Sequence, residues 1–200
     1  LAFAIDFVGQ DTKDELFQHV VKNRQHFVKA LGRERVDAPL KYALNMEARK
    51  EGNYTVEALQ KKFEQYFPAE ESAMYTAEYK MTFYTYYDRS NPEMKKQATL
   101  EYFNKYLDQI DNWNMLNSVA WNIYETEDDK EMLANALQWA LRSVELEESF
   151  FNTDTAAALY YKLGKKGKAE KMALRAIELG KEAGQDVSGS EELLDKIRKM

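Results

Sequence analysis

An internal repeat constrains the fold of this chain more than any other feature of its sequence. Residues 81–98 align without a gap on the segment that lies 38 positions later. The segment WALRSVEL at 139–146 likewise matches MALRAIEL at 172–179. Because one pair of helices cannot bury its own apolar face, a repeat of this kind predicts a stack of three or more pairs. The first alignment places Phe83 on Trp121, Tyr86 on Tyr124, Glu93 on Glu131, Met94 on Met132 and Ala98 on Ala136.

Glycines and capping residues mark the ends of the predicted helices. A left-handed residue just past a helix costs least when it has no Cβ, so a glycine after an amphipathic run indicates a helix end. Capping-box spacing at Thr12–Glu15 and Ser188–Glu191 indicates two helix starts, and the run Ser90–Pro92 indicates a third. The glycines at predicted helix ends are Gly32, Gly52, Gly164 and Gly184.

The apolar spacing between these marks is helical, and no segment alternates convincingly with the period of a strand. The chain has only eight glycines and three prolines among 200 residues, too few for the many turns of an all-β fold. We therefore predict an all-α protein of stacked antiparallel helical hairpins. The predicted helices are residues 12–31, 38–50, 55–67, 71–88, 92–108, 113–126, 129–147, 153–163, 167–183 and 190–199.

The remaining composition argues against several classes of function. The chain has no cysteine, so these residues hold no disulfide, thiolate metal site or cysteine nucleophile. The two histidines leave little material for a zinc site or a His-based triad. A net charge of −6 argues against a nucleic-acid partner, and no apolar run approaches the ~20 residues of a membrane span. We expect no catalytic residue, metal or cofactor in this chain.

The segment AAALYYKLG at 156–164, with alanines at 169, 173 and 176, resembles a tetratricopeptide (TPR) repeat. The tyrosine, the glycine at the turn and the alanine ladder stand in the family's spacing. Thr153 stands where the family has a large residue, and the proline that ends a repeat is missing. The resemblance implies a TPR-like right-handed superhelical array over residues 37–186. Its hairpins would be residues 37–67, 71–108, 113–147 and 153–183, capped by an N-terminal segment at 1–36 and a C-terminal helix at 188–200.

A second resemblance concerns the whole chain. The run FVGQDTKDELFQHVVKNRQHFVKALGRERVD at 7–37, followed by helical pairs that end in DTAAALYYKLGKKGKAEKMALRAIELGKEAG at 154–184, is similar to the helical region of secreted bacterial thioredoxin-like proteins. In that family a thioredoxin domain with a Cys-x-x-Cys pair comes first. The resemblance implies a chain that lacks its thioredoxin part, a periplasmic or cell-surface location, and a non-catalytic scaffold. Its partner would be a protein or peptide, including its own upstream thioredoxin domain.

The TPR resemblance also implies a binding groove. In that family the first helices of successive pairs line a concave surface, and a common register runs here through Tyr86, Tyr124 and Tyr160. An extended peptide or a chain terminus would fit such a mixture of rings, amides and charges. The same residues could be ordinary helix surface, and an autonomous peptide- or carbohydrate-binding protein that uses its many tyrosines is the alternative function. The candidate groove residues are Lys80, Tyr84, Tyr87, Ser118, Asn122, Glu125, Asp154 and Tyr161.

Two charged clusters have both a functional and a structural interpretation. The acidic turn lacks the spacing and glycine of a calcium loop, so we expect its carboxylates to favour the start of the next helix. The lysine cluster surrounds the last hairpin turn, where cations stabilise a helix C-terminus; an acidic partner surface is the alternative. The acidic turn comprises Glu125, Glu127, Asp128 and Asp129, and the lysine cluster comprises Lys162, Lys165, Lys166, Lys168 and Lys171.

Two smaller groups complete the candidates. His19 and His26 lie seven positions apart, on roughly one face of the first predicted helix, and further metal ligands are not evident, so we interpret them as surface or boundary residues. Glu70 and Glu71 could serve acid–base chemistry, but no substrate-binding motif accompanies them. We expect them to begin the helix after Pro68.

Overall fold

A computed structural model of the chain describes residues 5–6, 8–9 and 11–200. Within them the structure has eleven α-helices, one short 3₁₀ helix and no strand, so the prediction of an all-α fold is confirmed. Residues 1–4, 7 and 10 of the predicted N-terminal segment lie outside the described residues. The helices are α1 Glu15–Lys22, α2 Arg24–Leu31, α3 Arg33–Lys50, α4 Val56–Tyr66, α5 Ala69–Tyr86, α6 Pro92–Tyr106, the 3₁₀ helix Leu107–Gln109, α7 Trp113–Thr126, α8 Lys130–Leu146, α9 Phe150–Lys162, α10 Lys166–Glu182 and α11 Ser188–Arg198.

The chain divides into two compact units. Unit 1 is Leu1–Tyr102 and unit 2 is Phe103–Met200, so the boundary falls inside α6 and inside the predicted hairpin 71–108. Unit 1 contains α1 to α5 and most of α6, and unit 2 contains the end of α6 and the remaining helices.

The first predicted helix, 12–31, is wrong in one respect: it is two helices separated at Asn23. This residue ends α1, and its side-chain amide donates to the carbonyl of His19 at 2.9 Å. The capping residue of α1 is Asp14, whose carboxylate accepts from two backbone amides. Thr12 is not the cap; it is buried and donates to Glu47 Oε1 at 2.6 Å.

The interruption at Asn23 places a charged residue inside unit 1. Arg24, the first residue of α2, is only 8% exposed and donates through Nε to Asp37 Oδ1 at 2.7 Å. Asp37 lies on α3, is fully buried and also accepts from the Tyr75 hydroxyl on α5. These three side chains therefore connect α2, α3 and α5 through one buried polar network.

Helix α3 begins at Arg33, five residues before the predicted start, and contains Pro39 in its interior. A proline removes one backbone hydrogen bond, and for this reason the sequence favours a break there. Burial of Val36, Asp37 and Leu40 holds the turns on both sides of Pro39 in place. The helix packs against α2 and α4, and α4 packs against α5.

Unit 2 contains two helical pairs and a final helix. Helices α7 and α8 pack together, as do α9 and α10, and the short connections make each pair antiparallel. Helix α8 also packs on α9, α7 lies against α9, and α11 covers α10 and part of α9. Small residues permit the close approach, since Ala157 on α9 and Ala173 on α10 are both fully buried.

Glycine has two distinct roles at helix ends and in helix packing. The four glycines predicted at helix ends all have positive φ, for example 72° at Gly164, so that prediction is confirmed. Gly180 lies inside α10, where a Cβ would come within 2.9 Å of Phe150 Cδ2 and even closer to Val187. Gly180 is therefore required by packing and not by its backbone conformation.

The repeat seen in the sequence corresponds to matching burial in α8 and α10. The aligned residues Ala140 and Ala173 are both fully buried, and so are Ser143 and Ala176, the aligned pair three positions later. Trp139, aligned with Met172, is fully buried, while Met172 packs half-buried against the α9–α11 core. The aligned segments therefore occupy similar packing positions in their helices.

Candidate functional site

The eight predicted groove residues fall in both units. Three of them lie in unit 1 and five in unit 2, and the structure brings two of the latter together. Ser118 on α7 and Asp154 on α9 line one cavity of about 320 Å³, here named the α7–α9 pocket. The lining residues are Asn117, Ser118, Trp121, Phe150, Phe151, Asp154 and Thr155.

Two exposed aromatic side chains border the α7–α9 pocket. Trp121 on α7 is 36% exposed and Phe151 on α9 is 54% exposed, although both are large apolar residues. Phe150 sits beside Phe151, with ring centroids 5.2 Å apart, and packs on the core of α9, α10 and α11. Exposed aromatic surface of this kind next to a cavity is typical of a site that binds a ligand or partner.

A largely buried carboxylate lies in the same pocket. Asp154 Oδ1 accepts a hydrogen bond from the Ser190 hydroxyl of α11 at 2.5 Å. Burial raises the pKa of Asp154, and the Ser190 hydrogen bond lowers it in part. Within residues 11–200, no lysine or arginine forms an ion pair with this carboxylate. The pocket therefore contains a carboxylate able to receive a hydrogen-bond donor or cation from outside.

The pocket also contains a buried polar atom for which the described residues provide no hydrogen-bond partner. Asn117 Oδ1 on α7 is buried, and none of the described residues donates a hydrogen bond to it. A buried acceptor without a donor loses its hydration without replacement, which costs free energy. Together with Asp154, it gives the pocket two acceptors and an aromatic border.

The other predicted groove residues of unit 2 lie outside the pocket. Asn122 and Glu125 are exposed on α7, and Tyr161 is half-buried against the core of α9, α10 and α11. The groove prediction omitted Trp121, Phe150 and Phe151. Trp121 had a signal in the repeat alignment, where it matches Phe83, and the Phe150–Phe151 pair follows the cap residue Ser149.

The three predicted residues of unit 1 are engaged within that unit. Lys80 Nζ pairs with Glu101 at 2.8 Å. The Tyr84 ring packs on Phe83 with centroids 5.4 Å apart. Tyr87 packs its ring on Tyr54 with centroids 5.0 Å apart. Tyr86, one of the three register tyrosines, is 63% exposed, whereas the other two are half-buried.

The acidic turn and one lysine have structural roles in unit 2. Asp129 caps α8 by accepting from the Met132 amide at 2.8 Å. Lys162 Nζ donates to the carbonyls of Tyr124 and Glu127, at 2.8 and 2.5 Å, and pairs with Asp128 at 2.9 Å. The lysine from α9 therefore satisfies backbone carbonyls at the C-terminal end of α7.

The histidines and the paired glutamates also lie on helix surfaces. His19 and His26 are exposed on α1 and α2, and both rings pack edge-on against Phe27. Glu70 and Glu71 lie in the first turn of α5, directly after Pro68, so that prediction is confirmed.

Two further absences apply to the described part of the chain. Its His, Asp and Glu side chains form no group of three or more that could hold a metal ion. None of its helices is both long and apolar enough to cross a membrane.

The fold and the pocket define an all-α chain of packed helical pairs with an aromatic, acceptor-lined site in unit 2. No known protein family, curated protein or solved structure matches this chain. The resemblances to TPR repeats and to thioredoxin-like proteins therefore stay predictions.

Proposed function

We propose that this chain is a non-catalytic interaction module whose α7–α9 pocket binds an extended segment of a partner protein. The observation that carries the proposal is the joint presence of Trp121 and Phe151, both exposed, beside the largely buried carboxylate of Asp154. Aromatic residues at the border of a cavity are the usual anchors of protein interfaces.

The packing of unit 2 supports a TPR-like reading of this module. The first helix of one pair lies against the first helix of the next, that is, α7 against α9. Helix α8, which follows α7 in the chain, also contacts α9. A stack of TPR-like hairpins needs these neighbour relations, and its ligand groove lies along the first helices. The α7–α9 pocket is on those two helices.

The chemistry of the pocket selects the kind of segment. Trp121, Phe150 and Phe151 would pack against an apolar side chain, and Asp154 would pair with a lysine or arginine. A cation bound next to Asp154 would provide a charge partner for the carboxylate and would lower its pKa. Asn117 Oδ1, which accepts no hydrogen bond from the described residues, would accept one from a backbone amide of the segment. We therefore propose a peptide with a basic residue close to a large apolar residue.

A random peptide library displayed on phage, selected on the whole 200-residue chain, tests this proposal. The selected peptides should be enriched in lysine or arginine near a large apolar residue. Phe151→Ala should lower the affinity for a selected peptide by at least about 30-fold, the effect of truncating an interface hot spot. Leu174→Ala is the matched control, because Leu174 is 48% exposed on α10 and does not line the pocket. Selected peptides whose affinity is unaffected by Phe151→Ala would show that the pocket is not the binding site.

The sequence resemblance supports a narrower proposal on partner and location. We propose that the partner is a thioredoxin-fold domain and that the protein acts outside the cytoplasm, with the thiol–disulfide chemistry performed by that domain. Two experiments test this proposal: sequencing of the gene that encodes this chain, and a binding assay with any thioredoxin domain that the gene encodes. A Cys-x-x-Cys thioredoxin domain upstream of Leu1, and capture of that purified domain by this chain, are the expected results. A thioredoxin domain from the same gene that is not captured would contradict the proposal.

A further inference from the structure

Unit 1 contains a cavity of its own, separate from the α7–α9 pocket. It has a volume of about 320 Å³ and lies between α3 and α5, beside the loop that carries Tyr54. We name it the α3–α5 cavity. Four of its lining side chains are tyrosines, and one of them, Tyr42, is 52% exposed. The polar and charged lining residues include Lys41, Asn45, Arg49, Tyr54, Glu78 and Tyr79.

In the described part of the chain, two polar atoms of this cavity wall, Asn45 Oδ1 and the Tyr79 hydroxyl, are buried without hydrogen-bond partners. Asn45 donates through Nδ2 to the carbonyl of Lys41 at 2.7 Å, but its Oδ1 accepts nothing from the described residues. The side chain of Tyr79 is 5% exposed, and within the same described part of the chain its hydroxyl has no partner of hydrogen-bond geometry. Each unpaired buried group costs free energy, so a ligand that pairs with both would regain it.

The Tyr79 hydroxyl keeps its proton at neutral pH, and the nearby Tyr54 hydroxyl lies outside hydrogen-bond geometry with it. Burial and the neighbouring Tyr54 hydroxyl both raise the pKa of the Tyr79 phenol, so the phenol remains protonated. The Tyr54 ring packs edge-on against the Tyr79 ring, with centroids 5.4 Å apart. One wall of the cavity therefore combines an acceptor, a donor and aromatic faces.

The charged groups of the cavity are already engaged. Lys41 Nζ pairs with Glu78 Oε2 at 2.9 Å. The Arg49 guanidinium lies 4.3 Å above the centroid of the Tyr54 ring and 4.9 Å above that of Tyr87, and it donates to both hydroxyls. The polar groups that remain for a ligand are neutral, namely Asn45 Oδ1 and the Tyr79 hydroxyl, and they lie beside aromatic rings. Such a site does not favour an anion or a cation.

We propose that the α3–α5 cavity binds a neutral saccharide of one or two rings. Sugar hydroxyls can both donate to Asn45 Oδ1 and accept from the Tyr79 hydroxyl, and the C–H face of a sugar ring packs on an aromatic face. The cavity volume matches the lower end of small-molecule sites in proteins. This site lies in the other unit and takes a different class of ligand, so it does not depend on the proposed binding of a partner protein.

The experiment is titration of the whole chain with glucose, N-acetylglucosamine and cellobiose, followed by isothermal calorimetry and saturation-transfer NMR. Glucuronate serves as the charged counterpart. At least one neutral saccharide should bind, and Tyr79→Phe should weaken it about three- to tenfold, the effect of one lost hydrogen bond. The free Tyr79→Phe protein should be as stable as the wild type or more so, because the hydroxyl that it loses has no partner among the described residues. Tyr86→Phe, which changes an exposed tyrosine of the same helix, is the matched control.

Three results would overturn the proposal. The first is the failure of all three neutral saccharides to bind at millimolar concentration. The second is binding that Tyr79→Phe leaves unchanged, which would place the sugar elsewhere. The third is tighter binding of glucuronate than of glucose, which would assign the cavity to an anion that recruits Arg49.

Discussion

Asp154 on α9 and Ser190 on α11 are joined by a hydrogen bond of 2.5 Å from the serine hydroxyl to the carboxylate. Ser190 is buried and the carboxylate is largely so. This bond connects the last helix to the α7–α9 pocket and fixes the position of Asp154, which forms no ion pair with any residue from 11 to 200. Because burial disfavours the charged carboxylate, we expect Asp154 to contribute little to the stability of the fold and more to binding.

Asp154→Asn should keep the Ser190 bond and remove the buried charge. Because burial raises the pKa of Asp154 in the folded state, the wild type loses stability relative to this variant as pH rises from the ordinary aspartate value through the folded value. We expect the free energy of unfolding of Asp154→Asn to equal or exceed that of the wild type at pH 7, and this advantage to shrink at pH 3.5. Urea unfolding of both proteins at the two pH values measures it.

Asp154→Ala is the control for that prediction. It leaves the buried Ser190 hydroxyl without its acceptor, which should cost about 1–3 kcal/mol of unfolding free energy at pH 7. A loss of stability in Asp154→Asn as large as in Asp154→Ala would contradict the prediction. It would mean that the charge itself stabilises the fold.

The Arg24–Asp37–Tyr75 network should contribute strongly to the stability of unit 1. Arg24→Met removes the cation that pairs with Asp37 and leaves this buried carboxylate with the Tyr75 hydroxyl as a neutral donor, which should cost about 3–5 kcal/mol in urea unfolding. Lys181→Met is the matched control, because Lys181 pairs with Glu191 while 60% exposed and should contribute at most about 1 kcal/mol. Equal effects of the two substitutions would show that burial of the Arg24 pair does not matter.

The helices of this chain could be predicted from its sequence because their ends carry local signals. Gly52, Gly164 and Gly184 end helices with positive φ, and Asn91 accepts from the Met94 amide at the start of α6. These interactions depend on residues within one turn, so a spacing rule finds them.

The errors in helix boundaries come from tertiary contacts. Asn23 divides the first predicted helix because Arg24 must turn inward to reach Asp37, thirteen residues away in the sequence. Helix α9 begins at Phe150 and not at residue 153, because Ser149 and Asn152 form a reciprocal capping box. The capping box was missed in the sequence because its N3 residue is Asn152, whereas the usual residue at this position is glutamate or glutamine.

The candidate site could be predicted only in part, for a related reason. Ser118 and Asp154 were among the predicted groove residues because the TPR resemblance was carried over through a common register of tyrosines, and both line the α7–α9 pocket. Trp121 and Phe151 were not, because apolar periodicity cannot tell a buried aromatic from an exposed one when helix packing decides. The repeat register also misled in unit 1, where Tyr86 is exposed and its aligned partner Tyr124 is half-buried.

Lys162 lies on α9, and we expect its ammonium group to stabilise the C-terminal end of α7. Lys162→Met removes donors from the carbonyls of Tyr124 and Glu127, so the unfolding free energy should fall by about 1 kcal/mol. Lys171→Met is the control, because Lys171 is exposed on α10 and its substitution should change stability by less than about 0.5 kcal/mol. Indistinguishable variants would mean that the carbonyls are satisfied equally well by water.

Gly180 and Gly167 on α10 should respond in opposite directions to substitution by alanine. At Gly180 a new Cβ would collide with Val187 and approach Phe150 Cδ2 to 2.9 Å, so Gly180→Ala should cost about 1–3 kcal/mol through overpacking. At Gly167 nothing among the described residues lies within 4 Å of the new Cβ, so Gly167→Ala should stabilise the helix by about 0.5–1 kcal/mol. Thermal and urea unfolding of the two variants tests both signs. A stabilising Gly180→Ala would mean that α11 does not pack on α10 as closely as the structure shows, whereas a destabilising Gly167→Ala would mean that its backbone is not helical.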